Sequence, residues 1–348
     1  MNAIALEPLA SAVQRNCHIS DARHGGEYHM CTFLMKMREY FRWEKGLPYG
    51  QRLVKDEVGN WLADREALWE SLENEDYQPL EIGGERVDPF DAEGVNLRLE
   101  PFGLVYSAGL GRNAKPHFFL GHLEKRRELG AYSVLVSDRE YARDLGAPPA
   151  MNQGRVICLR RESLRRMLWE KLESWRWSRP SNPLGRAFAC YDFENDLDGA
   201  LDAMTEKETD AALLHEIGEF RAGRILGDQW NELLLEVSAS PAELMARAVR
   251  DHLADCLVTL PALLDDGEEA SIHFYLGNLT HMRQEIFPAL ERAYEDWMVS
   301  GSTESLHEIA QQGAEHWRQL ALDLLDSRGK TPVATIERIS GLVKANYL

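Results

Sequence analysis

The sequence predicts a mainly helical α+β fold, with a helical bundle from the C-terminal half and a short sheet around residues 95–160. Three patterns carry that reading. After residue 161, apolar residues recur at helical spacing almost without a break. Between 95 and 160 the chain turns to short apolar runs bounded by glycines and charged residues, the punctuation of strands and turns. Near the N-terminus, Met30, Phe33, Leu34, Met37, Tyr40 and Phe41 fall on one face of a helix over 27–45.

Residues 1–16 read as a short amphipathic helix, and Gly46-Leu47-Pro48 stops the helix over 27–45. A second helix over 61–74 carries Trp61, Leu62, Leu68, Trp69 and Leu72, and 75–100 is mostly an acidic loop. Strands are expected at Leu97-Arg98-Leu99, Gly103-Leu104-Val105-Tyr106, His117-Phe118-Phe119-Leu120, Ser133-Val134-Leu135-Val136 and Arg155-Val156-Ile157-Cys158-Leu159. Gly109-Leu110-Gly111 lacks the lysine and third glycine of phosphate loops and reads as a turn, so no nucleotide-cofactor motif is present. A helix is expected over 139–145. Further helices follow over 162–177, 196–204, 209–237, 241–260, 270–298 with a kink at Pro288, 303–327 and 336–347. This gives three parts: an N-terminal helical segment over 1–75 packing on the bundle, a small α/β element over 76–160, and the bundle over 161–348.

Composition narrows the function classes. A formal charge of −18 over 348 residues opposes nonspecific nucleic-acid binding. Five widely spaced cysteines without a CxxC do not form a disulfide framework, which points to a reducing compartment. There is no basic start followed by a long apolar run, and no apolar stretch of membrane-spanning length. The expectation is a cytoplasmic protein with no membrane partner. A small-molecule ligand and a homo-oligomer are left open.

The densest chemistry lies in Cys17-His18-Ile19-Ser20-Asp21-Ala22-Arg23-His24-Gly25-Gly26-Glu27-Tyr28-His29-Met30-Cys31, which holds three of the eleven histidines and two of the five cysteines. Asp21 and His24 are spaced i,i+3, His29 sits at the edge of the following apolar stripe, and Glu44 falls on that stripe. The plain alternative is a loop whose polar groups cap a helix. His215-Glu216-Ile217-Gly218-Glu219 is the second cluster. His215 and Glu219 are an i,i+4 pair, although HExxE lacks the second histidine of the zinc-protease motif. Asp251-His252 with Asp255 and Cys256 is the third, with His252 on the apolar face of its helix. His281 and Glu285 share the i,i+4 spacing but face away from the core stripe. Arg155, Arg160, Arg161, Arg165, Arg166 and Lys171 form a basic patch, expected to pair with acidic neighbours and otherwise able to hold an anion.

The run CHISDARHGGEYHMCTFLMKMREYFRWEKGLPYGQ resembles the N-terminus of an uncharacterised bacterial protein family, with the resemblance continuing through KPHFFLGHLEKRRELG and LRRESLRRMLWEKLESW. That family implies no catalytic residue. The His215/Glu219 and His281/Glu285 spacing is similar, more loosely, to helical di-metal proteins of the ferritin-like, haemerythrin-like and haem-oxygenase-like kinds. The repeated ExxH pair of ferritin-like sites is absent.

The leading expectation is a helix-borne site for iron or another divalent transition metal, in a non-haem iron oxygenase or oxidase. Its ligand pool is His24, His29, Glu44, His215, Glu219 and His252, with Asp21, Tyr28 and Arg38 in catalytic or positioning roles. The competing expectation is a non-catalytic ligand- or partner-binding protein using the N-terminal His/Asp/Arg cluster. An RNA-associated role for the basic patch is a third.

Overall fold

The computed structural model describes residues 5–348; residues 1–4, the start of the expected N-terminal helix, lie outside it. The chain divides into two compact units. The first takes in residues up to Gly111, Lys115–Ser174 and Glu194–Glu206; the second takes in Arg112–Ala114, Trp175–Phe193 and Lys207–Leu348.

The first unit opens with α1 (Leu6–His24), α2 (Met30–Glu44) and α3 (Lys55–Leu72). α1 runs through most of the polar segment expected to be a loop. The helix continues because Leu9, Val13, Cys17 and Asp21 recur every four residues and are all buried. Strands β1 (Leu80–Ile82) and β2 (Glu85–Val87) form a hairpin whose two linking residues, Gly83 and Gly84, have φ of 63° and 86°, a turn that favours glycine. α4 (Ala92–Leu99) takes the place of the strand expected at 97–99. Asp91 caps it by accepting from the Gly94 amide at 2.9 Å, and Val95 and Leu99 then share one buried face.

A five-stranded sheet follows: β3 (Leu104–Leu110), β4 (Pro116–Leu129), β5 (Tyr132–Arg143), β6 (Ala150–Gln153) and β7 (Val156–Arg160). The strand order is β3-β4-β5-β7-β6, antiparallel except for β5 against β7. The helix expected over 139–145 is instead the second half of β5. Its pairing with β4, Leu120 opposite Ala142 and Phe119 opposite Arg143, overrides the local helical tendency of the segment. Leu9, Val13 and Cys17 of α1 join Val95 and Leu99 of α4 over Tyr106, Phe118 and Leu120 on one sheet face. α5 (Arg161–Arg176) leaves β7 directly, and its basic patch is matched by acids. Arg161 meets Glu124 at 3.1 Å, Arg165 meets Asp202 at 2.8 Å, and Arg166 meets Glu140 at 2.7 Å.

The second unit is helical: α6 (Pro183–Ala189), the later turns of α7 (Leu197–Leu226), α8 (Gln229–Glu236), α9 (Pro241–Ala254), α10 (Leu260–Asp265), α11 (Glu269–Asn278), α12 (His281–Ile286), α13 (Pro288–Ser300), α14 (Glu304–Asp326) and α15 (Pro332–Ala345). The helices expected over 196–204 and 209–237 join into α7, which stops at Gly227, φ 70°, and the rest of the second becomes α8. The helix expected over 270–298 breaks into three. Thr280 caps α12, and Pro288, which has no N–H to donate, starts α13. Between α9 and α10 a π turn spans Asp255–Thr259. Leu233, Val249, Leu253, Leu260, Ile286, Leu290, Trp317 and Leu320 belong to one core. No helix among the described residues is long and apolar enough to cross a membrane.

Candidate metal centre

The site in the second unit rests on a helix crossing. A Cβ at Gly218 would collide with the Ala254 carbonyl, so glycine at this position lets α7 lie directly on the backbone of α9. That crossing sets the His215/Glu219 pair of α7 against Asp251 and Asp255, a second i,i+4 pair on α9 and the π turn. One ligand atom from each of His215, Glu219 and Asp251 lies within 4.8 Å of the others, and all three side chains are partly open to solvent.

Asp255 anchors this arrangement. It is fully buried, and its Oδ1 lies 2.7 Å from His215 Nδ1 and accepts from Thr259 Oγ1 at 2.8 Å. Its Oδ2 pairs with the Arg283 guanidinium. Burial alone would raise the Asp255 carboxyl, but His215 and Arg283 outweigh it and hold the group well below the usual carboxylate range. Burial likewise disfavours the His215 cation, yet Asp255 and Glu219 win and hold the imidazole well above its ordinary value. Nδ1 therefore donates to Asp255, and Nε2 is left on the Glu219 side, 3.6 Å from Oε1.

Arg250 Nη2 lies 2.5 Å from Glu219 Oε1 and 3.5 Å from Asp251 Oδ1. Glu216, next in sequence to His215, is 6% exposed and has a buried Oε2 with no hydrogen-bond partner. Burial and the Glu219 charge push its carboxyl up to about 8. Burial also raises Asp251 despite Arg250. Glu219, Asp251 and Asp255 thus face Arg250, Arg283, the His215 imidazolium and, at Glu219, Arg247 as well. Such a set balances its charge without an added ion only while His215 keeps its proton.

The other predicted ligands are placed elsewhere. His252 is fully buried, stacked on Trp317 with ring centroids 5.1 Å apart, and its Nε2 lies 2.9 Å from the Arg283 carbonyl. Burial and then Arg283 push it down to about 3, so it is neutral and Nε2–H donates. It thereby positions the residue whose side chain holds Asp255. His281 and Glu285 point outward, with the imidazole 92% exposed.

The N-terminal candidates have partners within the first unit. Asp21 is buried, pairs with Lys115 Nζ at 2.8 Å and accepts from the Leu145 amide at 2.8 Å. His24 Nδ1 lies 2.6 Å from Glu27 Oε1. His29 is exposed at the N-cap of α2 and makes no side-chain cap bond. Glu44 accepts from Trp61 Nε1 at 3.0 Å and pairs with Arg65. The Tyr28 ring has Lys115 Nζ 5.8 Å from its centroid, and Arg38 pairs with Glu39 at 2.7 Å. Sequence reasoning did not link His117, which meets the buried Asp144 at 3.1 Å across the β4–β5 pairing, 27 residues away. Asp251 and Asp255 were visible as a spaced pair, but the core-facing His252 between them drew the reading away.

Comparison with known proteins adds a family. No curated protein and no solved structure matches the chain. Two family models match in tandem: an N-terminal domain over residues 8–160 and a C-terminal domain over 165–346, both described as a family of unknown function. The first covers the stretch from α1 to β7, and the second covers the helices that carry His215, Glu219 and Asp251. The chain therefore belongs to the family of unknown function DUF6866, with its N- and C-terminal domains present in order.

Proposed function

We propose that the C-terminal unit binds one divalent transition metal through His215 Nε2 and the carboxylates of Glu219 and Asp251. The observation that carries this reading is the Asp255–His215 hydrogen bond, which fixes Nδ1 as donor and leaves Nε2 toward Glu219, with an Asp251 oxygen in the same cluster. A carboxylate behind a ligating imidazole is a recurrent way to orient and strengthen the ligand. Arg250 already supplies positive charge between Glu219 and Asp251, and a metal would replace that contact.

One imidazole and two carboxylates suit iron, manganese or zinc. Such a metal, with coordination positions left over, would activate dioxygen or water, and the reading extends to an oxygenase or oxidase of the non-haem type. The reading places the protein in the cytoplasm, and the five free thiols are compatible with a reducing compartment. The test is elemental analysis of untagged protein from cells supplied with iron, manganese and zinc. About one equivalent of metal in the wild type, lost in His215→Ala and Asp251→Asn, is expected. Metal-free wild-type protein from such cells would overturn the reading.

A further inference from the structure

The second unit contains a cavity of about 660 Å³ lined by residues of α6, α11, α12, α13 and the segments that join them. That volume is typical of small-molecule sites. Leu276, Leu279, Phe287, Leu290 and Met298 give it apolar walls, and Val299, 90% exposed, extends the apolar surface at its rim. The packing that places α6 here is tight, because a Cβ at Gly277 of α11 would lie 2.6 Å from the Leu184 amide nitrogen.

One cation enters this cavity, from α6. Arg186 Nη1 donates to Tyr294 Oη at 3.2 Å, and Tyr294 Oη lies 2.9 Å from His273 Nδ1. Burial and then Arg186 hold His273 below the usual imidazole range, so it is neutral and accepts the tyrosine proton. The relay from guanidinium to hydroxyl to imidazole fixes the side of Arg186 that faces Tyr294. Glu291 and Glu295 line the same cavity, yet neither forms an ion pair with Arg186. An exposed guanidinium without a carboxylate partner among the described residues, bordering a cavity with apolar walls, fits a single anionic head on an apolar body. The two glutamates oppose any anion, and a head of higher negative charge more than a single carboxylate.

We infer that this cavity binds an amphipathic monocarboxylate, with its carboxylate on Arg186 and its hydrocarbon body against Leu276, Phe287 and Met298. The site is independent of the metal reading, because none of its lining residues is a proposed ligand.

The test is calorimetric titration of the full-length protein with octanoate, octylamine and octyl phosphate. Octanoate is expected to bind at one equivalent and more tightly than the other two. Arg186→Gln should weaken it by about tenfold to a hundredfold, the usual range for one charge-assisted contact. Met298→Asp, at a partly exposed wall position, should abolish binding while leaving the far-ultraviolet spectrum and melting transition in place. His215→Ala should bind octanoate like the wild type, which separates failure here from failure of the metal site. Tighter binding of octylamine or octyl phosphate, no octanoate binding at millimolar concentration, or wild-type affinity in Arg186→Gln would each overturn the proposal.

Discussion

Asp255 Oδ1 lies 2.7 Å from His215 Nδ1, and this one contact leaves Nε2 as the imidazole nitrogen on the Glu219 side. Asp255 is itself held by Arg283 and Thr259, and Arg283 is held through its backbone by His252. His215 thus rests on a buried chain of polar contacts, while Glu219 and Asp251 are held by Arg250.

Asp255→Asn keeps the shape of that anchor and removes its charge. Metal affinity should fall by about 10- to 100-fold, the usual cost of losing an orienting carboxylate. Stability should fall by about 3–5 kcal/mol, because the Arg283 charge is left without its buried partner. Metal titration and urea denaturation of the same samples check both.

The helix crossing gives a paired test within α7. Gly218→Ala should destabilise by about 1–3 kcal/mol, because the new methyl meets the Ala254 carbonyl. Gly223→Ala, on the same helix with nothing within 4 Å, should stabilise by about 0.5–1 kcal/mol. Equal melting shifts for the two variants would remove the argument that Gly218 sets the crossing.

Much of this arrangement was legible in the sequence. The change of period near residue 161 marks the helical second half, and helical spacing alone put His252 in the core and His281 outside it. The i,i+4 spacing of His215 and Glu219 marked half of the site. The other half, Asp251 and Asp255, needed the Gly218 crossing, which is a contact between helices and leaves no local pattern. For the same reason the His117–Asp144 pair and the Lys115 partner of Asp21 were invisible: sheet pairing brings together residues far apart in sequence. The segment 139–145 reads as a helix ended by Gly146 and Pro148-Pro149, but its backbone as far as Arg143 is committed to β4.

Opposite pH slopes should leave a stability plateau between about pH 4.5 and 6.5. His252 and His18 are both pushed down to about 3, chiefly by burial. Depressed histidines stabilise the fold above their unfolded value near 6.5, and that stability is lost as pH falls toward 3. Glu216 and Glu208 are pushed up to about 8, chiefly by burial, and His215 is held above its ordinary value. Groups raised on folding favour the fold at low pH: the glutamates lose stability from about pH 4.5 through 8, the depressed histidines offset this up to about 6.5, and metal-free protein should lose net stability from there through about 8. Glu216→Gln should flatten the alkaline slope and His252→Gln the acid slope, each by a few kcal/mol across its window. Melting temperatures from pH 4 to 9 provide the check.

Asp21, singled out for chemistry, should behave as a structural group. Lys115→Met should cost about 3–5 kcal/mol by stranding a buried carboxylate. Pairing it with Asp21→Asn should cost less than the two single changes summed. A double-mutant cycle by urea denaturation measures the difference.

The central claim is that His215, Glu219 and Asp251 bind one divalent metal. The most direct measurement is calorimetric titration of metal-free protein with zinc at pH 7, repeated in buffers of different ionisation enthalpy. The account predicts one equivalent bound with net release of protons, because the His215 imidazolium must lose its proton to ligate, and loss of that binding in His215→Ala. Zinc binding that is the same in wild type and His215→Ala, or no binding at all, would contradict it.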